Sequence, residues 1–347
     1  MSLVSDPTVR IILSAMRISL SLALLIVLLA EAAMADSKEE TAEGIFRRAT
    51  EKSGPVAAAK GPYRIQYKLT FHGAAAGPVE GTLSEAWLSR HQWRREVSMP
   101  GFSETEVSDG PSTWIARKPH LFEPPGVEQL LAALEFVAEV RLVETTEKIS
   151  KIREDVHGGA RLQCIEIERP DVLASMGKKS LCFDEGSGAL VRIKDGDRRT
   201  EFSEFENREG AVIARKVQQF RGAELAAEAE LSSLVPQATA TAGLLDRPAD
   251  SRQFNNCNGR VTPGRLIERT NPVYPWAARV GRQTGSVEIY LVIDIDGMPK
   301  DMEIVRGSSK LLDDAAVEAI RKWRYEPYKC GGIPVQVESM TIVNFSL

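Results

Sequence analysis

The chain has 347 residues, of which 43% are hydrophobic and 27% charged, and its formal net charge at pH 7 is -4. This length suits two domains of ordinary size, each able to bury a core of its own. Without a basic excess the composition argues against a nucleic-acid partner, because proteins that bind nucleic acids neutralise phosphates with clustered Lys and Arg.

The amino terminus has the order of features found in export signals. Arg10 and Arg17 precede an apolar run at residues 18–30, and the small residues 33–35 follow it. This order predicts a signal peptide over residues 1–35, cleaved after Ala35. The apolar run falls short of the roughly 20 residues that a spanning helix needs. Retention as an amino-terminal anchor is the alternative.

Residues 36–233 are predicted to form an antiparallel, β-rich domain. A polar, helical start at residues 36–50 is followed by short segments in which apolar and polar residues alternate. These predicted strands are residues 63–71, 81–88, 93–99, 112–116, 189–194, 200–205 and 211–220, with a strand or short helix at 222–232. One helix is predicted at residues 127–137, because Leu130, Leu131 and Leu134 share a face.

This pattern, from about residue 60 to 233, resembles the half-barrel of periplasmic lipoprotein carriers of the LolA and LppX type. The resemblance implies a curved antiparallel sheet with the helix against its concave face. That face could hold an acyl chain or another apolar ligand, or the helix could fill it. Dense packing of protein interiors favours a filled core.

Four cysteines allow three disulfide pairings in an oxidising compartment. Cys164 and Cys182 lie in strand-like runs that can pair side by side, and Cys257 and Cys330 bracket the terminal domain. We therefore predict the disulfides Cys164–Cys182 and Cys257–Cys330. A metal site is disfavoured, because the sequence has no Cys-x-x-Cys pair and its four histidines are scattered. No cofactor is predicted.

Residues 234–256 are small, polar and poorly patterned, and are predicted to be a linker to a terminal domain at 257–347. In that domain a strand at 287–295 alternates cleanly, turns at 296–297 and pairs with residues 301–305. A helix is predicted at residues 311–325, with a cap at Ser308 or Ser309 and a stop at Pro327. A strand at 338–347 ends the chain.

Several short motifs in the last eighty or so residues occur together: Tyr274-Pro275, Gly285 before the first strand, Gly297 at the turn, and Trp323-Arg324-Tyr325 followed by Pro327. With them the segment from about residue 263 to 347 resembles the carboxy-terminal domain of the TonB family. The resemblance implies a small two-layer domain with a three-stranded antiparallel sheet and two helices, so that the whole chain is of the α+β class. Trp323 and Tyr325 are interpreted as core residues, because aromatics on an apolar stripe usually pack inside.

The resemblance also implies a binding site. In the family the last strand lies at a sheet edge, and an extended peptide of an outer-membrane receptor, the TonB box, adds beside it. The main chain would supply the hydrogen bonds by β-augmentation. The predicted site residues are Met340, Thr341, Ile342, Val343, Asn344 and Phe345.

The sequence therefore favours a periplasmic, non-enzymatic protein of a Gram-negative bacterium that binds outer-membrane transporters and supports energised transport. Energy-transmitting members of the family keep an anchor helix with a histidine, whereas this sequence has no histidine before His72. A partnership with an inner-membrane motor complex therefore requires that the amino terminus be retained. The alternative function is a soluble periplasmic protein that binds a lipid or apolar ligand and carries a TonB-like docking module.

Overall fold

The computed structural model describes residues 41–72, 77–138, 148–168, 178–237, 242–256 and 261–347. The predicted signal at 1–35 lies outside these ranges. Within them, no helix is both long and apolar enough to cross a membrane.

The helices are short. They are α1 (41–52), α2 (Pro55–Ala59), α3 (Pro125–Ala138), α4 (Trp276–Val280) and α5 (Lys310–Ile320). The strands of the first half are β1 (Tyr63–Phe71), β2 (Val79–Ser89), β3 (Gln92–Met99), β4 (Phe102–Asp109), β5 (Ser112–Lys118), β6 (Lys148–His157), β7 (Ala160–Glu168), β8 (Lys178–Asp184), β9 (Leu190–Asp195), β10 (Arg198–Arg208), β11 (Ala211–Arg221), β12 (Glu224–Pro236) and β13 (Arg252–Asn255). Those of the second half are β14 (Val261–Thr262), β15 (Leu266–Glu268), β16 (Gly285–Ile293), β17 (Pro299–Arg306), β18 (Arg324–Tyr325), β19 (Lys329–Cys330), β20 (Ile333–Pro334) and β21 (Val337–Phe345).

The first domain is one large curved antiparallel sheet with helices against it, as the sequence predicted. The strand order is β13-β5-β4-β3-β2-β1-β12-β11-β10-β9-β8-β7-β6. Alternate residues of β1 are buried, which explains its clean apolar alternation. Residues 224–236 form a strand, which settles the predicted choice between strand and short helix.

Helix α3 packs its apolar face onto this sheet. Leu130 and Leu131 are fully buried in a core that also contains Leu69 and Phe183. The space left beside Leu131 measures about 20 Å³, which is room for about one water molecule. A second cavity of about 200 Å³ lies at α3 near Arg199 and Phe220.

The predicted linker is more ordered than its composition indicated. Strand β12 continues to Pro236, and β13 pairs antiparallel with β5 from Arg252↔Ile115 to Asn255↔Ser112. The segment that leaves the first domain therefore covers the edge of its sheet. Covering an edge strand satisfies backbone groups that would otherwise be open to another chain.

The terminal domain has the predicted two layers. Its three-stranded sheet has the order β17-β16-β21, and α4 and α5 pack on one face. Val287, Ile289 and Leu291 of the central strand are completely buried. They belong to the same hydrophobic core as Leu312 and Ile320 of α5. The α+β class and the antiparallel architecture are thus confirmed.

Two details of the predicted long helix are wrong. Helix α5 ends at Ile320, and residues 324–325 form the short strand β18. Tyr325 pairs with Leu266 and donates its backbone N–H to Gly297 O at 2.9 Å, which draws the chain out of helical conformation. Pro327 also disfavours the helical backbone conformation at the preceding residue, Glu326. Ser309 occupies the cap position without a side-chain hydrogen bond.

Candidate functional site

Strand β21 forms one edge of the terminal sheet. It pairs with β16 without interruption, from Gly285↔Phe345 to Ile293↔Val337. On its outer side the described part of the chain contributes no strand. Alternate residues along this nine-residue edge therefore direct N–H and C=O groups outward, which is the form of edge that accepts another strand.

The six predicted site residues alternate between the two faces of β21. Val343 and Phe345 are buried under the helices, and Thr341 is half-buried. Met340 is 41% exposed and Ile342 55% exposed on the opposite face, where large apolar side chains ordinarily find cover. Asn344 is exposed and accepts a hydrogen bond from Ser286 at 2.6 Å.

The opposite edge, β17, is a poorer template. Its register with β16 shifts twice, and Asp301 has a positive φ of 46°. Charged residues stand along it, and Glu303 is held by the first domain through His120 Nδ1 and the N–H of Leu121, both at 2.6 Å. Bulges and charges are devices that block strand addition, so β21 is the open edge.

The face of the sheet away from α5 docks on the first domain. Phe122, Tyr290 and Val292 form a small buried cluster, and the rings of Phe122 and Tyr290 lie 6.2 Å apart. Arg252 of β13 donates to the Tyr290 hydroxyl at 2.8 Å. Burial, with Glu338 nearby, raises the pKa of Tyr290, so this hydroxyl stays neutral at physiological pH.

Arg117 of β5 links the two domains. Its Nη1 donates to Glu338 of β21 at 2.6 Å and to Leu121 O at 3.0 Å. Its Nη2 donates to Glu123 at 3.1 Å, and its Nε donates to Glu104. Burial disfavours the charge of Arg117, but Glu338 and Glu104 raise its pKa overall. A guanidinium with only 3% of its side chain exposed thus donates hydrogen bonds to three glutamates, and its Nη2 also lies 3.7 Å from a fourth, Glu106.

The first domain adds a second buried pair beside this one. Arg95 of β3 donates to Glu106 of β4. Burial is the largest cause that raises the pKa of Glu104, followed by Glu106. Burial and the charge of Glu104 likewise raise the pKa of Glu123 to about 8, against the opposing effect of Arg117. Glu123 is therefore largely protonated at neutral pH.

Glu104, Glu106 and Glu123 place carboxylate oxygens within 4.8 Å of one another, as in a site for a cation. Arg95 and Arg117 already supply the positive charge there. We therefore interpret the cluster as an ion-paired network and assign it no metal. Sequence reasoning missed the network because β4 carries glutamates at buried positions, which hides its alternation.

A groove opens between the first domain and β21. Its volume is about 390 Å³, and we call it the interdomain groove. Arg117, Glu123 and Glu128 line it from the first domain, and Glu338 and Met340 from β21. The open edge therefore has one wall made by the other domain, which the sequence did not indicate.

The first group of motif residues joins α4 to the sheet. Tyr274 donates its hydroxyl to Gln283 O and packs edge-on against Phe345, with ring centroids 5.5 Å apart. Pro275 stands at the amino-terminal cap of α4. Gly285 opens β16 with a φ of 153°, and a Cβ there would lie 2.2 Å from Ser308 Oγ.

The second group lies around the end of α5. Trp323 is buried and donates its indole N–H to Thr270 O at 2.8 Å, and its ring lies 6.4 Å from that of Tyr325. Gly297 has a φ of 79°, and Tyr325 O would lie 2.0 Å from a Cβ at that position. Arg324 is exposed and lies 3.9 Å from Glu268, while Pro327 is half-buried. These motif residues shape the domain and do not line the groove.

The disulfide Cys164–Cys182 is present between β7 and β8, where the two residues stand directly opposite each other. Cys330 is disulfide-bonded as well. Its predicted partner, Cys257, lies outside the described residues.

Comparison with solved structures gives matches of low overall similarity that cover somewhat more than half of the chain. A putative outer membrane lipoprotein-sorting protein domain from Vibrio parahaemolyticus is 10% identical, with a TM-score of 0.39 over 58% of this chain and 95% of its own. A LolA superfamily protein from Nitrosomonas europaea is 11% identical, with a TM-score of 0.40 over 57% and 94%. No curated protein matches the sequence significantly.

The terminal segment is similar to a TonB domain. The solution structure of the TonB carboxy-terminal domain of Pseudomonas aeruginosa is 26% identical over 25% of this chain and 86% of its own, with a TM-score of 0.22. Residues 270–347 match the family described as the Gram-negative bacterial TonB protein C-terminal. The last 78 residues of this chain are therefore similar in sequence to TonB C-terminal domains.

Proposed function

We propose that the chain is a periplasmic TonB-family protein of a Gram-negative bacterium that binds extended peptides at the outer edge of β21. The partner is the TonB box, the periplasmic segment of an outer-membrane transporter, and binding supports energised transport across the outer membrane. The protein acts by binding and catalyses no reaction. The observation that carries the proposal is the straight nine-residue edge of β21 within a segment that matches the family.

The physical basis is main-chain pairing. Alternate residues of an edge strand direct N–H and C=O outward, so a peptide gains hydrogen bonds whatever its side chains are. Met340 and Ile342 add apolar contact on one face. Ordering a flexible peptide opposes binding, so the expected affinity is moderate and depends on these side-chain contacts.

Export fits a protein with a disulfide, since such bonds persist in oxidising compartments. The mass and first residue of the protein from envelope fractions test this part. A periplasmic form that begins at Asp36 supports an adaptor without its own motor contact. An uncleaved form in the inner membrane supports partnership with a motor complex.

The alternative of an apolar-ligand carrier has less support. Leu130 and Leu131 of α3 fill the described concave face. The cavity of about 200 Å³ at α3 is smaller than the roughly 300 Å³ at the lower end of small-molecule pockets.

The binding experiment uses the full chain and TonB-box peptides in which alternate backbone nitrogens are methylated. N-methylation removes a donor from the ligand and leaves the protein unchanged. If the peptide adds to β21, methylation of one alternate set abolishes binding in calorimetry and methylation of the other set does not. Equal tolerance of both sets contradicts strand addition.

A matched pair of protein variants locates the site. Met340→Ala lies on the edge and is expected to weaken binding about three- to tenfold, because part of an apolar contact is lost. Ile333→Ala removes a side chain that is 70% exposed on β20, away from that edge, and is expected to leave affinity unchanged. Pairing of β21 with a second copy of the chain would instead give a dimer that no TonB-box peptide dissociates, which contradicts the proposal.

A further inference from the structure

The interdomain groove gives the edge of β21 a side wall with a distinct charge. A strand added to β21 directs alternate side chains to each face of the sheet. Those that share the face of Glu338 and Met340 enter the groove, because both residues line it. The side chains on that face of the peptide therefore contact the first domain as well as the terminal one.

The groove contains more negative than positive groups. Its lining has the carboxylates of Glu128 and Glu338, the single guanidinium of Arg117, and Glu123, which is largely protonated at neutral pH. Glu128 is exposed in the first turn of α3 and makes no ion pair within the described residues. An incoming cation therefore finds one carboxylate, that of Glu128, without an ion-pair partner among the described residues.

Arg117 cannot serve an acidic ligand. Its nitrogens already lie 2.6 Å from Glu338 and 3.1 Å from Glu123, and Nε is paired with Glu104. Taking the guanidinium away from these groups would leave buried carboxylates unpaired, which is strongly unfavourable. A carboxylate in the groove would meet Glu128 and Glu338 without a free positive partner among the residues that line it.

We propose that the interdomain groove selects extended peptides that place a basic side chain, Lys or Arg, beside Met340 on the outer edge of β21. This inference rests on the proposed function and deepens it. The first domain becomes a specificity element of the peptide site. Recognition of the peptide by both domains also gives a role to the contacts of Arg117 and Arg252, which hold the terminal domain against the first.

Proton release from Glu123 on peptide binding can be measured separately from affinity. The charged groups that face it are Arg95, Glu104, Glu106 and Arg117 from the strands, Glu128 from α3 and Glu338 from β21. Its raised pKa of about 8 means that it carries a proton at pH 7. A cation placed nearby favours the ionised form, so binding of a basic side chain releases protons.

The test uses the full chain with its disulfides intact and peptides of nine residues, the length of β21. Each peptide alternates Thr and Val and carries Lys, norleucine or Glu at its centre. Calorimetry at pH 7 in two buffers of different ionisation enthalpy measures affinity and proton release. The Lys peptide is expected to bind about three- to tenfold tighter than the norleucine peptide, and the Glu peptide weakest.

Three glutamine variants test which glutamates cause the preference for the Lys peptide. Glu128→Gln is expected to reduce the Lys preference, and Glu123→Gln to abolish proton release while mimicking the neutral side chain. Glu154→Gln changes an exposed acid on β6, at the far edge of the large sheet, and is expected to change neither. The preference is also expected to shrink as salt rises.

The outcomes separate the two proposals. Equal binding of all three peptides, or a Lys preference that survives in both groove variants, overturns the selection and leaves strand addition intact. If none of the peptides binds, strand addition at β21 fails and the selection fails with it.

Discussion

Arg117 of β5 and Glu338 of β21 form an ion pair at 2.6 Å that joins the first domain to the strand on which peptide binding is proposed. Only 3% of the Arg117 side chain is exposed, while 31% of Glu338 is. The same arginine holds Glu104 and Glu123 inside the first domain. The two ends of this contact should therefore respond very differently to substitution.

Arg117→Gln is expected to lower the free energy of unfolding by about 3–5 kcal/mol, because it leaves buried carboxylates without their cation. Glu338→Gln removes the negative charge that faces Arg117 and Arg252 but keeps an oxygen that can accept from Tyr290, and should cost about 1 kcal/mol. Urea unfolding measures both. Amide exchange in β21 should speed up in the Glu338 variant and stay unchanged in Glu326→Gln, which alters an exposed pair with Arg265. Equal losses for the two groove substitutions would contradict this account of the network.

Glu123 makes stability depend on pH. Its pKa is about 8 in the folded chain and near 4.5 when unfolded, so between these values the folded state binds more protons. The free energy of unfolding should therefore fall as pH rises from about 4.5 to 8, by up to about 1.4 kcal/mol per unit. Urea titrations across this window should show a shallower fall for Glu123→Gln. Identical slopes would mean that other groups set the pH dependence.

The terminal domain could be predicted from sequence because its local signals agree. The alternation of β16, the turn at Gly297 and the apolar stripe of α5 all describe the observed sheet and helices. The end of α5 could not be placed, because Tyr325 leaves the helix for a tertiary bond to Gly297 O. Long-range contacts of this kind have no signature in local periodicity.

The first domain was predictable in class but not in its charged interior. Strand β4 was missed because Glu104 and Glu106 are buried where apolar residues are expected. Their arginine partners come from β3 and β5, so only the folded sheet shows that the charges are paired. The interdomain groove was likewise invisible, since it depends on Arg117 and Glu338, which lie far apart in sequence.

The disulfide of the first domain should stabilise it substantially. Cys164 and Cys182 are separated by 18 residues, and closing a loop of that length is worth about 3 kcal/mol through the unfolded state. The double variant Cys164→Ala with Cys182→Ala should lose about that amount in urea unfolding. Peptide affinity should not change, because β7 and β8 lie far along the sheet from β5.

The second predicted bond can be checked in the same protein. A non-reduced digest should contain a peptide pair joined through Cys257 and Cys330, since Cys330 is disulfide-bonded and Cys164 is paired with Cys182. A fragment that joins Cys164 to Cys330 would contradict both assignments.

Three glycines with positive φ allow backbone strain to be separated from crowding. At Gly331 nothing lies within 4 Å of an added Cβ, so Gly331→Ala should cost only the strain of about 1 kcal/mol. At Gly285 the nearest atom is Ser308 Oγ, and at Gly297 it is the backbone oxygen of Tyr325. A side chain can turn away, whereas a backbone oxygen paired within β15 and β18 cannot.

Urea unfolding should therefore rank the losses of stability as Gly297→Ala, then Gly285→Ala, then Gly331→Ala. Adding Ser308→Gly should recover part of the loss at Gly285 but none at Gly297. Equal losses at all three positions would show that crowding adds nothing at Gly285 or Gly297, and that the close approach of Tyr325 to the turn does not limit the side chain there.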